Sequence, residues 1–437
     1  MGDRGRVATD VVRRLRAAGY ETYLAGGCVR DRLLGREPGD FDVATAAPPE
    51  VVRKLFRRTV AVGAKFGVIL VLEGDAQFEV ATFRSDDAYI DGRRPSAVHF
   101  ATAEKDAQRR DFTINALFQD PISGDVIDFV GGQADLRAGI IRAIGDAGAR
   151  IAEDRLRMLR AVRLAARFAF RIEPATHAAI VAAAASVTDM AAERIGDEIV
   201  KMLTEGAART SFELLAATTL LDVVLPEVAA MRGVEQSSDY HPEGDVWTHT
   251  LLLLEQLAAG TSEALALGCL LHDVAKPRCQ SRREDGRITF YGHPDVGAEM
   301  AIAIVQRLKR SRETWERVAY LVRSHLRLVQ APEMRLSTLK RMLAEEGFDD
   351  LLALARIDAL ASNKDLQFVE FCERRRREVA AAVRPQRLLG GDDLIAMGFA
   401  PGPRLGEMLR ALETAQLEGE VTTREGAETW VRERFGA

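Results

Sequence analysis

Aromatic residues are scarce, at 6% of 437 positions, and no apolar stretch is long enough to span a bilayer. The opening "MGDRGRVATDVVRRLRAAGY" lacks the apolar run of a signal peptide. Arg6 stands where a myristoylation motif needs Ser or Thr. Cysteine is sparse too. Cys28, Cys269, Cys279 and Cys372 show no paired spacing, which excludes a disulfide framework and indicates free thiols in a reducing compartment. These absences predict a cytoplasmic protein without a membrane role. A strong charge of either sign is also missing: a net charge of −5 does not advertise nucleic-acid binding, so any basic surface must be local. There is no internal repeat and no low-complexity tract.

What is present is a globular composition, 47% apolar and 29% charged, rich in Ala, Leu and Arg and leaning helical. Up to about residue 130, helix-like and strand-like segments alternate. "TYLAG", "DFDVA", "TVAV", "GVILVLEG" and "QFEVATFR" are short, β-branched or aromatic, and bounded by Gly, Asp or Pro. A hairpin is expected to turn at Gly74-Asp75. From about 140 onward strand signals stop and helical spacing takes over, including 246–259, 262–275, 296–308, 313–325 and 349–378. Gly-, Ser- and Pro-bearing stretches at 226–245 and 383–403 mark boundaries. The expected fold class is α+β: a small mixed-sheet head over 1–140, then a long all-α remainder divided at about 230 and 380.

The head holds a pair of carboxylates, Asp40 and Asp42, separated by Phe41 in "AGGCVRDRLLGREPGDFDVAT". Two apart on a strand, they would share one face. Such a pair suits Mg²⁺, which takes oxygen ligands and leaves positions for substrate phosphates. Gly26-Gly27 upstream lets the backbone approach a triphosphate, and Arg30 follows within reach of phosphate oxygens. Glu79, in the strand "QFEVATF", is a third carboxylate, and three from two strands would suit two-metal phosphoryl transfer.

"EDRLRMLRAVRLAARF" places Arg157, Arg160, Arg163 and Arg167 at steps of three and four, on one helix face. A face so nearly pure in arginine repels itself unless an anion sits on it, so phosphate or base contact is expected. Asp154 lies one turn before Arg157. Asp only accepts hydrogen bonds and Arg only donates them. Cytosine and adenine present an amino donor beside a ring-nitrogen acceptor, so such a pair could select them over uracil and guanine.

"GDFDVAT", "FRSDDAYIDGRRPSAVHF", "RRDFTINALFQDP", "EDRLRMLRAVRLAARF" and "ERIGDEIVKML", in that order, resemble the class II tRNA nucleotidyltransferases, the CCA-adding enzymes and bacterial poly(A) polymerases. The resemblance runs from about 20 to 205 and implies a polymerase-beta-like head followed by helical neck, body and tail. It implies that Asp40 and Asp42 bind the catalytic Mg²⁺ ions with Glu79 as third carboxylate. It assigns Gly27, Arg30 and Arg110 to the triphosphate, Asp154 and Arg157 to the base, and Arg160 and Arg163 to nucleotide contact. Substrates would be tRNA, CTP and ATP. A-only, CC-only and poly(A) addition are the rivals within the family. "SDDAYIDGRRPSAVHF" resembles the flexible segment of complete CCA-adding enzymes, and the ending "TWVRERFGA" lacks the basic extension common in poly(A) polymerases.

A second constellation lies in 231–380. Four of the seven histidines, His249, His272, His293 and His325, fall at intervals suited to separate helices of one bundle. The pair His272-Asp273 is flanked by apolar helix, where burial is costly unless it binds something. The region resembles an HD-type metal phosphohydrolase, implying that His249, His272, Asp273 and Asp358 bind one metal and that His293 and His325 extend the site to a second. Imidazole ligands favour Ni²⁺, Mn²⁺ or Co²⁺. The opposing expectation is an HD hydrolase whose head is an idle RNA-binding module. His99 and His177 are read as structural. The basic run Arg374–Arg387 fits a solvated face and a tRNA phosphate contact equally.

Overall fold

The computed structural model describes residues 3–63, 67–86, 98–237, 244–362, 364–379 and 387–436. They form two compact units. The first is Met1–Ala229 with Leu257–Gly260 and Arg307–Lys309; the second comprises Ala230–Gln256, Thr261–Gln306 and Arg310–Ala437. No helix among the described residues is long and apolar enough to cross a membrane.

The first unit begins with a mixed sheet built from β1 (Thr22–Ala25), β2 (Asp42–Thr45), β3 (Thr59–Gly63), β4 (Val68–Glu73) and β5 (Ala76–Thr82). β6 (Arg84–Asp86) and β7 (Val98–Phe100) pair separately, while β8 (Phe118–Gln119) and β9 (Val126–Ile127) complete the main sheet. Its strand order is β3-β4-β5-β2-β1-β8-β9. β4 and β5 form the expected hairpin: Glu73 pairs with Ala76 across Gly74-Asp75, and Gly74 takes φ +61°. Alternation buries Ile69, Val71, Phe78 and Val80 while Glu79 stays exposed. Aromatics pack together here, with Phe83 edge-on to Phe118 at 5.9 Å between centroids. Asp40 departs from expectation: β2 starts at Asp42, so Asp40 precedes the strand, with the buried Phe41 between them.

Beyond the head, helix Leu156–Phe168 buries Met158, Leu159, Val162 and Leu164 and packs against helix Ala192–Thr204. Strand structure does not stop at 140. β10 (Ile140–Ile141) pairs in parallel with β11 (Arg171–Ile172), and β12 (Ser281–Arg282) pairs with β13 (Ile288–Thr289) in the second unit. Strands of two residues are too short to show alternation.

The second unit carries helices Val246–Glu255, Glu263–Leu271, His293–Arg307, Arg312–Ser324, Phe348–Ala361 and Gln367–Val379. The segment expected as one helix over 349–378 is two. Ser362 Oγ turns back onto the carbonyl of Asp358 at 2.9 Å, and Lys364 adopts φ +60°, so the chain leaves the helical path. The last helices, Gly391–Ala396, Pro403–Glu418 and Arg424–Phe435, close around Leu394, Met408, Leu412 and Val431.

Gly132 shows how tightly the head is packed. A Cβ there would stand 2.2 Å from the Thr113 carbonyl oxygen, a backbone atom that cannot swing aside. Gly132→Ala is expected to cost about 1–3 kcal/mol or more through overpacking. Thermal unfolding checks this, and an unshifted midpoint would show that helix Gly132–Ala138 can ride away from the 113–115 turn.

Candidate functional site

β2 and β5 run parallel, in a register that sets Asp42 beside Glu79. Both side chains open into a cavity of about 500 Å³. The carboxyl of Asp42 is raised to about 6, first by desolvation in the cleft and then by the charges of Glu79 and, more weakly, Asp40, against the pull of Arg110. Adjacent carboxylates that resist ionising together are a fitting seat for a hard divalent cation. Asp40 influences this pair but is not among the residues lining the cavity.

Gly26 caps helix Gly27–Leu33 at φ +72°, and a Cβ on it would lie 2.9 Å from Arg110 Nη1 and 3.9 Å from Asp42 Oδ2. Glycine is therefore required for backbone and cleft alike. Arg110 is held by Asp106 (Nη2 to Oδ2, 3.0 Å) and by the Asn115 carbonyl at 3.2 Å. Arg30 is buried, donates to Asp31 Oδ1 at 2.7 and 2.8 Å, and stacks over the Phe168 ring at 4.5 Å. Burial lowers its pKa.

The cavity collects Gly27, Arg30, Asp42, Glu79, Arg110, Asp154, Arg157, Arg160 and Arg163 from segments far apart in sequence. The arginine stripe, however, is neutralised from within. Arg160 grips Asp111 at 2.8 Å, Arg163 grips Glu198 at 2.7 Å, and Arg163 and Arg167 share Glu205 at 3.2 and 3.4 Å. Burial opposes ionisation of Asp111, but Arg160 and Asn115 hold its carboxyl down at about 2. Asp154 and Arg157, the expected base-reading pair, each hold another partner. Arg157 binds Glu153 at 2.6 Å and the carbonyls of Arg150 and Arg109, while Asp154 is bound by Arg194. Sequence reasoning missed Asp111, Asn115 and Arg194, although all three stand inside "RRDFTINA" and "ERIGDEIVKML".

The second unit brings four histidines together from separate helices. His249 lies within Val246–Glu255; His272 and His325 cap the C-termini of two helices, and His293 opens another. His249 Nε2 faces His272 Nε2 at 3.3 Å, and His293 Nε2 faces His325 Nε2 at 3.3 Å. The Nδ1 atoms of His272, His293 and His325 point at the carbonyls of Cys269, Phe290 and Val322, which take Nδ1–H donors. In that tautomer the Nε2 lone pairs of His293 and His325 face each other, an arrangement a cation relieves. Asp273 lies between the pairs. Its Oδ2 is 3.1 Å from His272 and 2.7 Å from Lys276; its buried Oδ1 has no hydrogen-bond partner, with His293 at 3.4 Å and His325 at 3.8 Å. Burial works against ionising Asp273, yet His272 and Lys276 hold it well below the carboxylate range. Burial also lowers His325, to about 4. Asp358 Oδ1 reaches His249 Nε2 at 3.0 Å. His249, His272 and Asp273 form one group able to hold a metal, and Asp273, His293 and His325 a second. The residues fit the ion.

Of the basic run, Arg376 binds Asp349 and Arg375 binds Glu378, while 380–386 lie outside the described residues. So do residues 87–97, most of the "SDDAYIDGRRPSAVHF" segment. His99 is exposed on β7 and His177 half-buried in helix Pro174–Ala183.

Three family profiles match in order: "Poly A polymerase head domain" over 22–142, "Probable RNA and SrmB- binding site of polymerase A" over 169–232, and "HD domain" over 246–362. The chain is a nucleotidyltransferase joined to an HD domain. A CCA-adding enzyme of Streptococcus sanguinis is 33% identical over 417 residues, covering 94% of this chain and 93% of that protein. One from Geobacillus thermodenitrificans is 43% identical over 223 residues, 51% of this chain and 55% of its own. The structure of the Bacillus stearothermophilus CCA-adding enzyme in complex with CTP superposes with a TM-score of 0.77 at 27% identity, covering 99% and 98% of the two chains. The chain belongs to the CCA-adding enzymes, the class II tRNA nucleotidyltransferases.

Since the Gly26 Cβ would press on Arg110, Gly26→Ala is expected to lower nucleotide incorporation by up to ~100-fold while the protein stays folded. Single-turnover incorporation, with circular dichroism alongside, measures this. Near-normal turnover would show that Arg110 has room to shift.

Proposed function

We propose that this chain adds CCA to tRNA 3′ ends without a template, transferring CMP and AMP from CTP and ATP, and that its second unit is a metal-dependent phosphohydrolase. The observation that carries the first part is the Asp42–Glu79 pair in register on the floor of an arginine-lined cavity. The terminal hydroxyl oxygen bonds to the α-phosphorus as the bond to pyrophosphate breaks. Asp42, Glu79 and Asp40 are the carboxylates that would hold Mg²⁺, which supplies charge neutralisation at phosphate and a more acidic hydroxyl. Gly27 brings backbone close to the triphosphate, and Arg30, Arg110, Arg160 and Arg163 orient its oxygens. Asp154 accepts from the amino group of cytosine or adenine, and Arg157 donates to the ring nitrogen once it leaves Glu153.

Relatives named CCA-adding enzymes that align along nearly the whole chain support full CCA addition over A-only, CC-only or poly(A) synthesis. The intact carboxylate floor argues against an idle head. Four free cysteines, three of them buried, support a cytoplasmic setting.

In the HD unit, His249, His272, Asp273 and Asp358 would hold one ion, and His293 and His325 with the other oxygen of Asp273 a second. The mixed imidazole and carboxylate donors favour Mn²⁺, Ni²⁺ or Co²⁺ over Mg²⁺. The suited substrates are phosphomonoesters and 2′,3′-cyclic phosphates, as on damaged tRNA ends.

Transcripts ending at the discriminator base, after C, or after CC, each given single NTPs, test the addition. Asp42→Ala is expected to abolish incorporation and leave tRNA affinity intact; retained turnover would remove the carboxylate assignment. His272→Ala is expected to lose hydrolysis of 2′,3′-cyclic phosphate and bound transition metal, read by elemental analysis, and to keep nucleotide addition. Equal metal content in both proteins would reduce the cluster to packing.

A further inference from the structure

The base-reading role given to Asp154 depends on the direction in which its carboxylate points. Asp154 is an awkward place for a fixed acceptor. It ends helix Ala147–Glu153 with φ −146° and ψ 104°, one residue before the cap of helix Leu156–Phe168, so regular helix geometry does not constrain it. Arg157, one turn on, does not restrain it. Arg157 directs its guanidinium to Glu153 and to the carbonyls of Arg150 and Arg109.

Arg194 takes that place. It rises from the first turn of helix Ala192–Thr204 and meets the carboxylate with both arms of its fork, Nη1 to Oδ1 at 3.1 Å and Nη2 to Oδ2 at 2.8 Å. Two parallel hydrogen bonds fix a carboxylate plane, where one would leave it free to turn. The Leu156 amide also donates to Oδ1, at 3.1 Å. A carboxylate has about four acceptor positions, two on each oxygen. Oδ1 therefore has both filled, by Arg194 and by Leu156, whereas Oδ2 has one filled. Asp154 lines the nucleotide cavity and Arg194 does not.

From this we infer that Arg194 is a positioning residue for base selection: its fork locks Asp154 so that Oδ2 alone is offered to the incoming base. An amino group of cytosine or adenine donates to that oxygen. The carbonyl oxygen of uracil or guanine meets it acceptor to acceptor and is repelled. A carboxylate free to turn would present a different edge or admit a water, and the repulsion would fade. The inference rests on the reading of Asp154 as the base-contacting acceptor.

The test uses the full-length protein and tRNA transcripts, and measures the ratio of CTP to UTP incorporation (kcat/KM) for Arg194→Ala, Arg194→Lys, Asp154→Ala and the double variant. Removing a charge-assisted fork is expected to lower the ratio about tenfold in Arg194→Ala. Arg194→Lys, which keeps the charge but not the fork, is expected to fall between. Arg194 acts only through Asp154, so the double variant should discriminate no worse than Asp154→Ala alone. If Arg194→Ala keeps the parent ratio while Asp154→Ala loses it, Arg194 is a structural tie and the inference falls. If Asp154→Ala itself keeps the ratio, the base-reading assignment falls and takes the inference with it. Should Arg194→Ala not fold, a parent-like ratio in Arg194→Lys overturns the proposal equally.

Discussion

Two carboxylates side by side on neighbouring strands are the constraint to which the head is fitted. Desolvation in the cleft, and after it the repulsion between Asp42 and Glu79, raises the pKa of Asp42. The surroundings are arranged around this cost. Gly26 withdraws its own bulk so that Arg110 can approach, and Arg110 is in turn steadied by Asp106 and the Asn115 carbonyl. A divalent cation seated between the two carboxylates would offset that cost.

The arginines follow the same logic with the sign reversed. Each guanidinium of the Leu156–Phe168 helix has a carboxylate waiting: Glu153, Asp111, Glu198 or Glu205. The stripe is thus a set of exchangeable ion pairs. A triphosphate entering the cavity competes with built-in anions, so it must offer more than charge to be held.

Much of the architecture was legible because it is written locally. Alternation and Gly or Asp punctuation marked the first five strands, and the turn at Gly74-Asp75 fell where expected. Strands of two residues left no such trace, and the break at Ser362–Lys364 depends on a side chain folding back on its own helix. At the site, residue types pointed to nine residues that line one cavity, but not to their partners. Arg194 meets Asp154 across forty positions and Glu198 meets Arg163 across thirty-five, distances over which sequence spacing carries no signal. Asp40 was misplaced for a simpler reason: a strand pattern shows where alternation holds, and the pairing begins at Asp42. The histidines of the second unit were conspicuous as a set, whereas their nitrogen-to-nitrogen facing at 3.3 Å emerges only in three dimensions.

The parallel pairing of β2 with β5 also bears on how the protein assembles. Antiparallel neighbours such as β4 and β5 can zip from a tight turn, but parallel strands need a long connection, here the whole stretch from Thr45 to Ala76. Asp42 and Glu79 therefore meet only after that loop has closed and the β3–β4–β5 meander has docked on β2, and their repulsion gives the docking no help. The carboxylate pair is a product of the finished sheet rather than a nucleus for it. A heat-loosened head is expected to lose this contact before it loses its local hairpins, so the proposed site is a late acquisition of folding and an early loss on heating.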